Sequence, residues 1–372
     1  MENVEKILCD LIEIPSFGEI DQKHEIIKYL DQKFSSCKEV CKLVDDIGNT
    51  HFLVGVNTYL CNIENAFLLS GHIDTVVQTQ NHVPIATTDN NFIYGLGSAD
   101  MKGFVSSVIS NMDNLILSKT PIIISLTSDE ETDMCGIELI MEEIKTRNIT
   151  PEVVIVGEPT SSKIALSNNG NAIYVCDIYG KANHTSAPHE GVNAINVAMK
   201  YISEIEKIEQ KYLSLASLCI TKINGGLANT IVPDLCEFTI SVITPSLKIL
   251  NNIENDLKSA FDSIKEKNKG SKITNLFGIP AFNNQLKNNS QLLKACNTTE
   301  IIHFRGSTEA GFIQQAFNNS DIIIYGPGNP ECIHKSGEKI DKNELKTYSN
   351  KLPKVISNYY SLKKESDLHH EL

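Results

Sequence analysis

Several common features are missing from this chain of 372 residues. It has no apolar stretch of about 18 residues, the length that a transmembrane helix needs, so we expect no membrane span. Acidic residues outnumber basic ones, and the net charge of −13 disfavours nucleic acid or an anionic membrane as a partner. The first residues, MENVEKILCDLIEIPS, have acids where a signal peptide needs bases, so we expect a cytoplasmic protein.

A cysteine framework is missing as well. In the cytoplasm the ten cysteines should be reduced thiols, and they are scattered along the chain. Cys37 and Cys41 form one close pair, which would suit a zinc or redox site, but no second pair accompanies it. Buried or incidental thiols are therefore the favoured interpretation. The length of the chain favours two domains, because one core rarely serves so many residues.

Short apolar runs alternate with helical segments in the two outer parts of the chain. The runs are FLLSG (67–71), IIISLTS (122–128), VVIVGE (153–158) and DIIIYGPG (321–328). They are rich in Ile, Val and Leu and end in turn residues, which is typical of strands buried on both faces. Helical spacing at 101–117 and 135–145 predicts crossover helices. The alternation predicts an α/β fold with a mostly parallel sheet that is covered on both sides.

The middle of the chain has a different pattern. The segment 171–183, NAIYVCDIYGKAN, alternates like a half-exposed strand. Further elements are predicted as amphipathic helices at 192–212 and 247–267 and as strands at LCITKI, LCEFTISVI and KITNLF (272–277). This β-α-β-β-α-β order predicts a separate two-layer α+β domain. We place it at 169–282, inserted into a parallel-sheet domain that consists of 1–168 and 283–372.

Acids and histidines follow the predicted strands at the points where the strands end. They are His72, Asp74, Asp100, Glu130, Glu131, Glu158 and His334. Ligands of open α/β sheets lie beyond the carboxyl ends of the strands, so we expect these side chains at one edge. Their nitrogen and oxygen atoms suit zinc, and the carboxylates would repel one another without cations. Five or more ligands suit two ions that share a bridging carboxylate.

Two pairs within this set predict a division of roles. His72 and Asp74 share a face of an extended segment, so Asp74 can accept a hydrogen bond from the ring nitrogen that does not hold the metal. Glu130 and Glu131 are adjacent and point apart, so one can bind a metal while the other acts as a general base. Taken alone, these motifs are better explained by a satisfied histidine near a turn and by a solvated acidic loop, but together with the other acids at the strand ends they favour the metal site.

Seven stretches of the chain resemble motifs of the dinuclear-zinc amidohydrolases of the M20 peptidase family. They are SGHIDTV, YGLGSADMKGF, TSDEETDMCG, VGEPTS, GVNAI, STEAGFIQ and GPGNPECIHK. The resemblance covers almost the whole chain and implies a catalytic metal-binding domain with an inserted ferredoxin-like lid and dimerisation domain. It also implies a homodimer that hydrolyses the linear amide bond of a small N-acylated amino acid, with two Zn²⁺ per subunit or Co²⁺ as an alternative.

The same resemblance implies a ligand set for the two ions. His72 and Glu158 would hold one zinc ion, and Glu131 and His334 would hold the other. Asp100 would bridge the two ions. The peptide bond after Asp100 is expected to be cis, although the next residue is not proline.

Catalytic and substrate-binding roles are implied in the same way. Glu130 would be the general base, and Asp74 would orient His72. His184, in GKANHTSAP, matches a lid histidine that reaches the active site of the partner subunit and stabilises the oxyanion. Asn229, in GGLANTIVP, matches a substrate-facing position of the lid.

The chain departs from the family at one place that concerns the substrate. Relatives often carry Asp-x-Arg-Pro on the last lid strand, with the arginine near the substrate carboxylate, but this chain has Val242 and Thr244 there. Arg305, in HFRGSTEA, could replace that arginine or could be a surface residue. Glu309, in STEAGFIQ, is a further candidate for substrate binding, and this stretch favours the deacetylases of the family over its desuccinylases.

Other functions remain open on the sequence alone. Deacylases for related acyl amino acids differ in few pocket residues, so the acyl group is not fixed. An aminopeptidase of similar metal chemistry would cleave unblocked peptides instead. An inactive relative that serves as a scaffold should have lost a ligand or the base, whereas every candidate is present here.

Overall fold

The computed structural model describes residues 3–17, 20–77, 85–265, 269–284, 286, 290–298 and 300–370. The chain divides into two compact units. Unit 1 comprises Met1–Ser167, Asn284–Phe304 and Thr308–Leu372, and unit 2 comprises Asn168–Asn283 and Arg305–Ser307. No helix within the described ranges combines the length and apolar character that a membrane crossing requires.

The helices and strands follow one another as listed here in chain order. The helices are α1 (Val4–Glu13), α2 (Ile20–Lys33), α3 (Lys102–Ser110), α4 (Met112–Leu117), α5 (Cys135–Thr146), α6 (Ala194–Tyr212), α7 (Leu247–Lys265), α8 (Gln291–Cys296), α9 (Ala310–Ala316) and α10 (Lys342–His370). The strands are β1 (Glu39–Val44), β2 (Thr50–Gly55), β3 (Ile63–His72), β4 (Thr87–Thr88), β5 (Phe92–Tyr94), β6 (Ile122–Thr127), β7 (Ile149–Val156), β8 (Ile164–Asn168), β9 (Gly170–Tyr179), β10 (Ser217–Gly225), β11 (Leu235–Thr244), β12 (Lys272–Ile279), β13 (Phe282–Asn283), β14 (Ile301–Phe304), β15 (Asp321–Ile324) and β16 (Lys339–Asp341).

The largest sheet runs through unit 1 in the order β1-β2-β6-β3-β7-β15-β8. Its four central strands, β6, β3, β7 and β15, are parallel neighbours. The strands that flank them, β2 on one side and β8 on the other, pair antiparallel. The predicted α/β fold with a mostly parallel sheet is therefore confirmed. The antiparallel edge at β1 and β2 follows from the short turn that joins these two strands, which only antiparallel neighbours can use.

The apolar runs are continuous because both faces of the central strands are covered. Every residue of β6 is buried, as are the last seven residues of β3. Apolar side chains from α1, α2, α3 and α10 share one core with these strands. The predicted helix at 101–117 is divided into α3 and α4 at Asn111, whose side-chain amide donates to the carbonyl of Ser107.

Unit 2 has the predicted two-layer α+β composition. Its antiparallel sheet has the order β10-β11-β9-β12, and α6 and α7 share its core. Alternate residues of β9 are buried, which matches the half-exposed pattern of this strand. The helix predicted from 192 begins at Ala194, because the side chain of Asn193 accepts a hydrogen bond from the amide of Asn196 and caps it. The helix predicted to 267 is described to Lys265, and residues 266–268 lie outside the described residues.

Candidate active site

The parallel strands deliver their polar residues to one edge of the sheet. His72 is the last residue of β3 and lies opposite Thr127, the last residue of β6. Glu130 and Glu131 follow β6 within four residues, and Glu158 follows β7 within two. The register of parallel strands therefore brings side chains from distant parts of the chain to the same place.

The two nitrogens of the His72 ring have different surroundings. Nδ1 lies 2.9 Å from the main-chain oxygen of Asp74 and 3.6 Å from its carboxylate. A carbonyl can only accept, so Nδ1 carries the proton of the neutral ring and Nε2 has a free lone pair. Nε2 lies 3.2 Å from the carboxylate of Asp100 and 3.9 Å from that of Glu130. A proton or a cation must lie between these acceptors, since otherwise lone pairs would face each other.

The carboxylate of Asp74 has contacts beyond the one we predicted with His72. The shortest contact of the His72 ring is with the Asp74 carbonyl rather than the side chain. The carboxylate accepts hydrogen bonds from the amides of Glu130 and Glu131, at 3.2 and 3.0 Å. Asp74 therefore faces the His72 ring through both its main-chain oxygen and its carboxylate, and the carboxylate also holds the amides of the two glutamates.

Asp100 lies between the two histidines. One of its oxygens is 3.2 Å from Nε2 of His72, and the other is 3.2 Å from Nε2 of His334. The peptide bond from Asp100 to Met101 is cis, as the resemblance implied. Burial alone would raise the pKa of Asp100, but hydrogen bonds with His334 and His72 outweigh it and lower the pKa. The two oxygens of one carboxylate thus face two different imidazoles.

The remaining acids complete a buried group of like charge. Glu131 lies 3.0 Å from Nε2 of His334, and Glu130 is close to His72. Burial raises the pKa of Glu130 well above its usual value, and nearby Glu158 and Glu131 add to this rise. Burial likewise raises the pKa of Glu158, and the Asp100 charge adds to it. Four carboxylates in one buried place are costly unless cations neutralise them.

The side chains present fit divalent metal ions. One ligand atom each from His72, Asp100 and Glu131 lies within 4.8 Å of the other two. The Oε1 atom of Glu158 is buried and has no hydrogen-bond partner among the described residues. Such an orphaned carboxylate oxygen is explained if it faces a cation. Imidazole nitrogen and carboxylate oxygen are the donors that zinc and similar ions prefer.

Glu338 is a residue of the site that the sequence did not reveal. Its buried carboxylate accepts hydrogen bonds from the amides of Gly97, Ala99 and Asp100, at 3.1, 2.9 and 3.1 Å. Burial raises its pKa to about 7, and the Asp100 charge adds to the rise. The carboxylate therefore holds the turn that presents Asp100. The only signal in the sequence is an acid four positions after His334, which an exposed residue would give equally.

Glu309 is buried and only 1% exposed. Its carboxylate accepts hydrogen bonds from the hydroxyls of Ser70, at 3.1 Å, and Thr127. Burial raises its pKa to about 7, although these hydrogen bonds and the nearby His72 partly offset the rise. The side chain thus links the ends of β3 and β6, and direct substrate contact by Glu309 stays a prediction.

The other candidate substrate residues belong to unit 2 and are exposed. His184 makes a local contact, in which Nδ1 lies 2.7 Å from the hydroxyl of Ser186. Asn229 and Arg305 have exposed side chains, and the main-chain oxygen of Arg305 accepts from Asn169. Val242 and Thr244, at the places of the missing Asp-x-Arg, are buried within this unit. Neither of these buried side chains can act as a carboxylate anchor.

A donor set that is buried except for His334, at the carboxyl edge of a parallel sheet, suits a metal-dependent hydrolase. The sequence profile of Peptidase family M20/M25/M40 matches residues 68–358. The chain therefore belongs to the M20 peptidase family and is a hydrolase.

Curated relatives give a more specific comparison. The chain is 29% identical to the acetylornithine deacetylase of Buchnera aphidicola subsp. Schizaphis graminum, over 95% of this chain and 97% of the relative. It is 28% identical to the acetylornithine deacetylase of Erwinia tasmaniensis, over 78% of this chain and 80% of that enzyme.

Solved structures share the fold at lower identity. A tripeptidase from Staphylococcus aureus matches with a TM-score of 0.75 and 19% identity, over 96% of this chain and 97% of that one. A dinuclear metal binding peptidase of the M20 family from Bacillus subtilis matches with a TM-score of 0.64 and 15% identity, over 97% of this chain and 98% of that one. At these identities the likeness supports the fold and not the substrate.

Proposed function

We propose that this protein hydrolyses the amide bond of N2-acetyl-L-ornithine, with L-ornithine and acetate as products, as a step of arginine biosynthesis in the cytoplasm. The reaction type rests on one observation, the Asp100 carboxylate that faces His72 and His334 with Glu130 beside it. The substrate rests on the relatives named acetylornithine deacetylase, one of which aligns over 95% of this chain.

Two Zn²⁺ ions, or Co²⁺ as an alternative, are the proposed cofactors. His72 and Glu158 would hold one ion, Glu131 and His334 the other, and Asp100 would bridge them. When bound, such ions polarise the amide carbonyl and lower the pKa of water. Elemental analysis should find two divalent ions per subunit in active protein, and activity that survives complete metal removal would contradict the proposal.

Glu130 is the proposed general base. Its carboxylate is near His72 but makes none of the close contacts that Glu131 makes with His334. It can therefore take a proton from the attacking water and return it to the leaving nitrogen, so that the amine departs neutral. Asp74 fixes both glutamates through their amides, which keeps the base and the ligand in their separate places.

Residues of unit 2 are proposed to act on the substrate. His184 would stabilise the oxyanion in the active site of the partner subunit of a homodimer. Asn229 and Arg305 would bind the amino-acid part of the substrate, and the exposed Arg305 is available as a replacement for the family arginine that is missing at Thr244.

A substrate panel tests the proposal. We would measure kcat/KM on acetylornithine, acetylcitrulline, succinylornithine and succinyl-diaminopimelate, with unblocked di- and tripeptides, and use Glu130→Gln as the control for contaminating enzymes. Acetylornithine should be preferred by about tenfold or more, because a polar pocket discriminates strongly against a poorly matched group. A preference of about tenfold for succinyl-diaminopimelate, or for a peptide, would overturn the substrate but keep the reaction type.

A further inference from the structure

A second group of histidine and carboxylates lies next to the loop that carries the glutamates. Asp45, His51 and Asp129 each offer one atom, and the three atoms lie within 4.8 Å of one another. The side chains of His51 and Asp129 are fully buried. Their composition would suit a metal ion, so the protonation of the ring decides what this group does.

The contacts of His51 favour a role in hydrogen bonding over one in metal binding. The amide of Ser128 donates to Nδ1 of the ring at 3.3 Å, so Nδ1 is an acceptor. Burial lowers the pKa of His51, despite the nearby Asp45, and favours the neutral ring. The proton of that ring must then be on Nε2, which has no lone pair left for a cation. The group therefore acts as a support through Nδ1 of His51, whereas Nε2 of His51 and Oδ1 of Asp129 have no hydrogen-bond partner among the described residues.

The support acts on the peptide groups of Ser128. This residue directly follows β6, and its amide donates to His51 on β2. Its carbonyl accepts a hydrogen bond of 2.6 Å from the ammonium of Lys23, a buried residue of α2. The strands β2 and β6 are antiparallel neighbours, and their main-chain pairing ends with Phe52 opposite Leu126. Beyond this pair, the side chains of His51 and Lys23 bind the main chain of Ser128.

One carboxylate supports both contacts. Asp45 accepts hydrogen bonds from the main-chain and side-chain nitrogens of Asn49, each at 2.8 Å. The side-chain oxygen of Asn49 in turn accepts from Lys23 at 3.0 Å. Asp45 also accepts from the amide of Ile47 at 3.1 Å, and its carboxylate lies 3.4 Å from Nε2 of His51. Two short chains of contacts thus run from the turn at Asp45 to the two peptide groups of Ser128.

We propose that Lys23 and His51 are positioning residues for the hydrolysis, because they fix Ser128 and so set where the carboxylates of Glu130 and Glu131 lie. This inference rests on the proposed function, since it assigns those two carboxylates to the reaction. Asp74 holds the amides of the glutamates, and Lys23 with His51 holds the main chain two residues earlier. Lys23 and His51 act through the loop and touch no reacting atom.

The first test replaces Lys23 by methionine, which keeps the length of the side chain and removes the donor. A displacement of about 1 Å at a reacting group can cost about 100-fold, so we expect kcat to fall about 10- to 100-fold. KM should stay within about twofold and the metal content should be unchanged, because no ligand or substrate contact is removed. Lys28→Met, at an exposed position of the same helix, is the matched control and should retain wild-type kcat.

The second test uses two replacements of His51. Asparagine can place its side-chain oxygen near the position of Nδ1 and accept from Ser128, whereas leucine cannot. We expect kcat of His51→Asn within about threefold of wild type and kcat of His51→Leu lower by about tenfold or more. Equal loss in both variants, or a Lys23→Met variant with the kcat of the Lys28→Met control, would overturn the inference.

A third readout does not depend on turnover or on the stability of a variant. Nitrogen-15 NMR of the wild-type ring should find His51 neutral, with the proton on Nε2 and Nδ1 as acceptor. A proton on Nδ1 at neutral pH would overturn the inference. If the wild type hydrolyses none of the acyl amino acids, the proposed function fails, and the ring measurement still tests the support around Ser128.

Discussion

The candidate residues of unit 1 and those of unit 2 differ in how strongly the fold holds them. His72, Asp100 and Glu158 are buried among other charged groups, whereas the side chain of His334 is 48% exposed although its Nε2 contacts Asp100 and Glu131. His184 and Asn229 are exposed, and the ring of His184 contacts a serine two positions away. Burial of a charge requires a partner, whereas exposure requires none. The fold therefore fixes the buried residues of unit 1, whereas the exposed side chains of unit 2 have few contacts that fix them.

The largest effect should come from Glu130, the buried residue that we propose as the general base. Glu130→Gln removes the proton acceptor and keeps the shape of the side chain, so we expect kcat to fall about 10²- to 10⁴-fold. The metal content should be that of the wild type, because Glu130 is not a proposed ligand. Elemental analysis with kinetics on acetylornithine checks both points, and Glu142→Gln, at an exposed position, is the control. Loss of metal together with activity would make Glu130 a ligand instead.

If His184 acts as proposed, this exposed histidine should matter only through a second subunit. His184→Ala should lower kcat about 100-fold if it stabilises the oxyanion. Mixing equal amounts of this variant and Glu130→Gln should restore about a quarter of the wild-type activity, because about half of the twofold dimers are mixed and half of the sites in each mixed dimer are intact. Absence of any restoration after subunit exchange would remove the action in trans, and a fully active monomer would remove the role entirely.

Loss of the buried Glu338 carboxylate should have a more modest effect, on metal affinity. Glu338→Ala leaves the amides of Gly97, Ala99 and Asp100 without their acceptor, so the Asp100 turn loses its fixed position. We expect metal affinity to fall about 10- to 100-fold, as for other residues that orient ligands. Competition with a chelator measures it. Glu331→Ala, at an exposed position of the preceding loop, should leave the affinity unchanged.

The smallest effect concerns stability and pH. Burial raises the pKa of Glu309 from 4.5 to about 7, so the folded protein binds a proton that the unfolded chain releases between these values. The free energy of unfolding should therefore decrease as pH rises from 4.5 to about 7. Glu309→Gln removes this contribution, so its stability relative to wild type should improve across that window. Urea unfolding of the metal-free proteins tests this, and parallel curves for both would contradict it.

The sequence predicts the elements whose pattern follows from burial alone. The strands β3, β6 and β7 are continuous apolar runs because helices cover both of their faces, and β9 alternates because only one face is covered. The residues at the ends of these strands could be expected together because parallel strands end at one edge. Their convergence needed no knowledge of side-chain contacts.

Contacts with the main chain could not be predicted in the same way. Asp74 and Glu338 accept hydrogen bonds from main-chain amides. Because almost every residue has such an amide, the residue types of the donors give no signal in the sequence. The role of Lys23 could not be predicted either, because its partner is the main-chain carbonyl of Ser128. The break at Asn111 was missed because its amide bonds to a helix carbonyl and not to a residue that periodicity singles out.

The hydrogen bond between Glu338 and the amide of Asp100 spans 238 positions, and this has a consequence for biosynthesis. A ribosome will have made most of the parallel strands before it adds His334 and Glu338. An mRNA truncated upstream of these codons would encode most of the sheet of unit 1. The product would lack His334, a proposed metal ligand, and Glu338, whose carboxylate accepts from the Asp100 turn. Antibodies against the early segments would still detect such a product, so protein abundance in a cell would overestimate working enzyme.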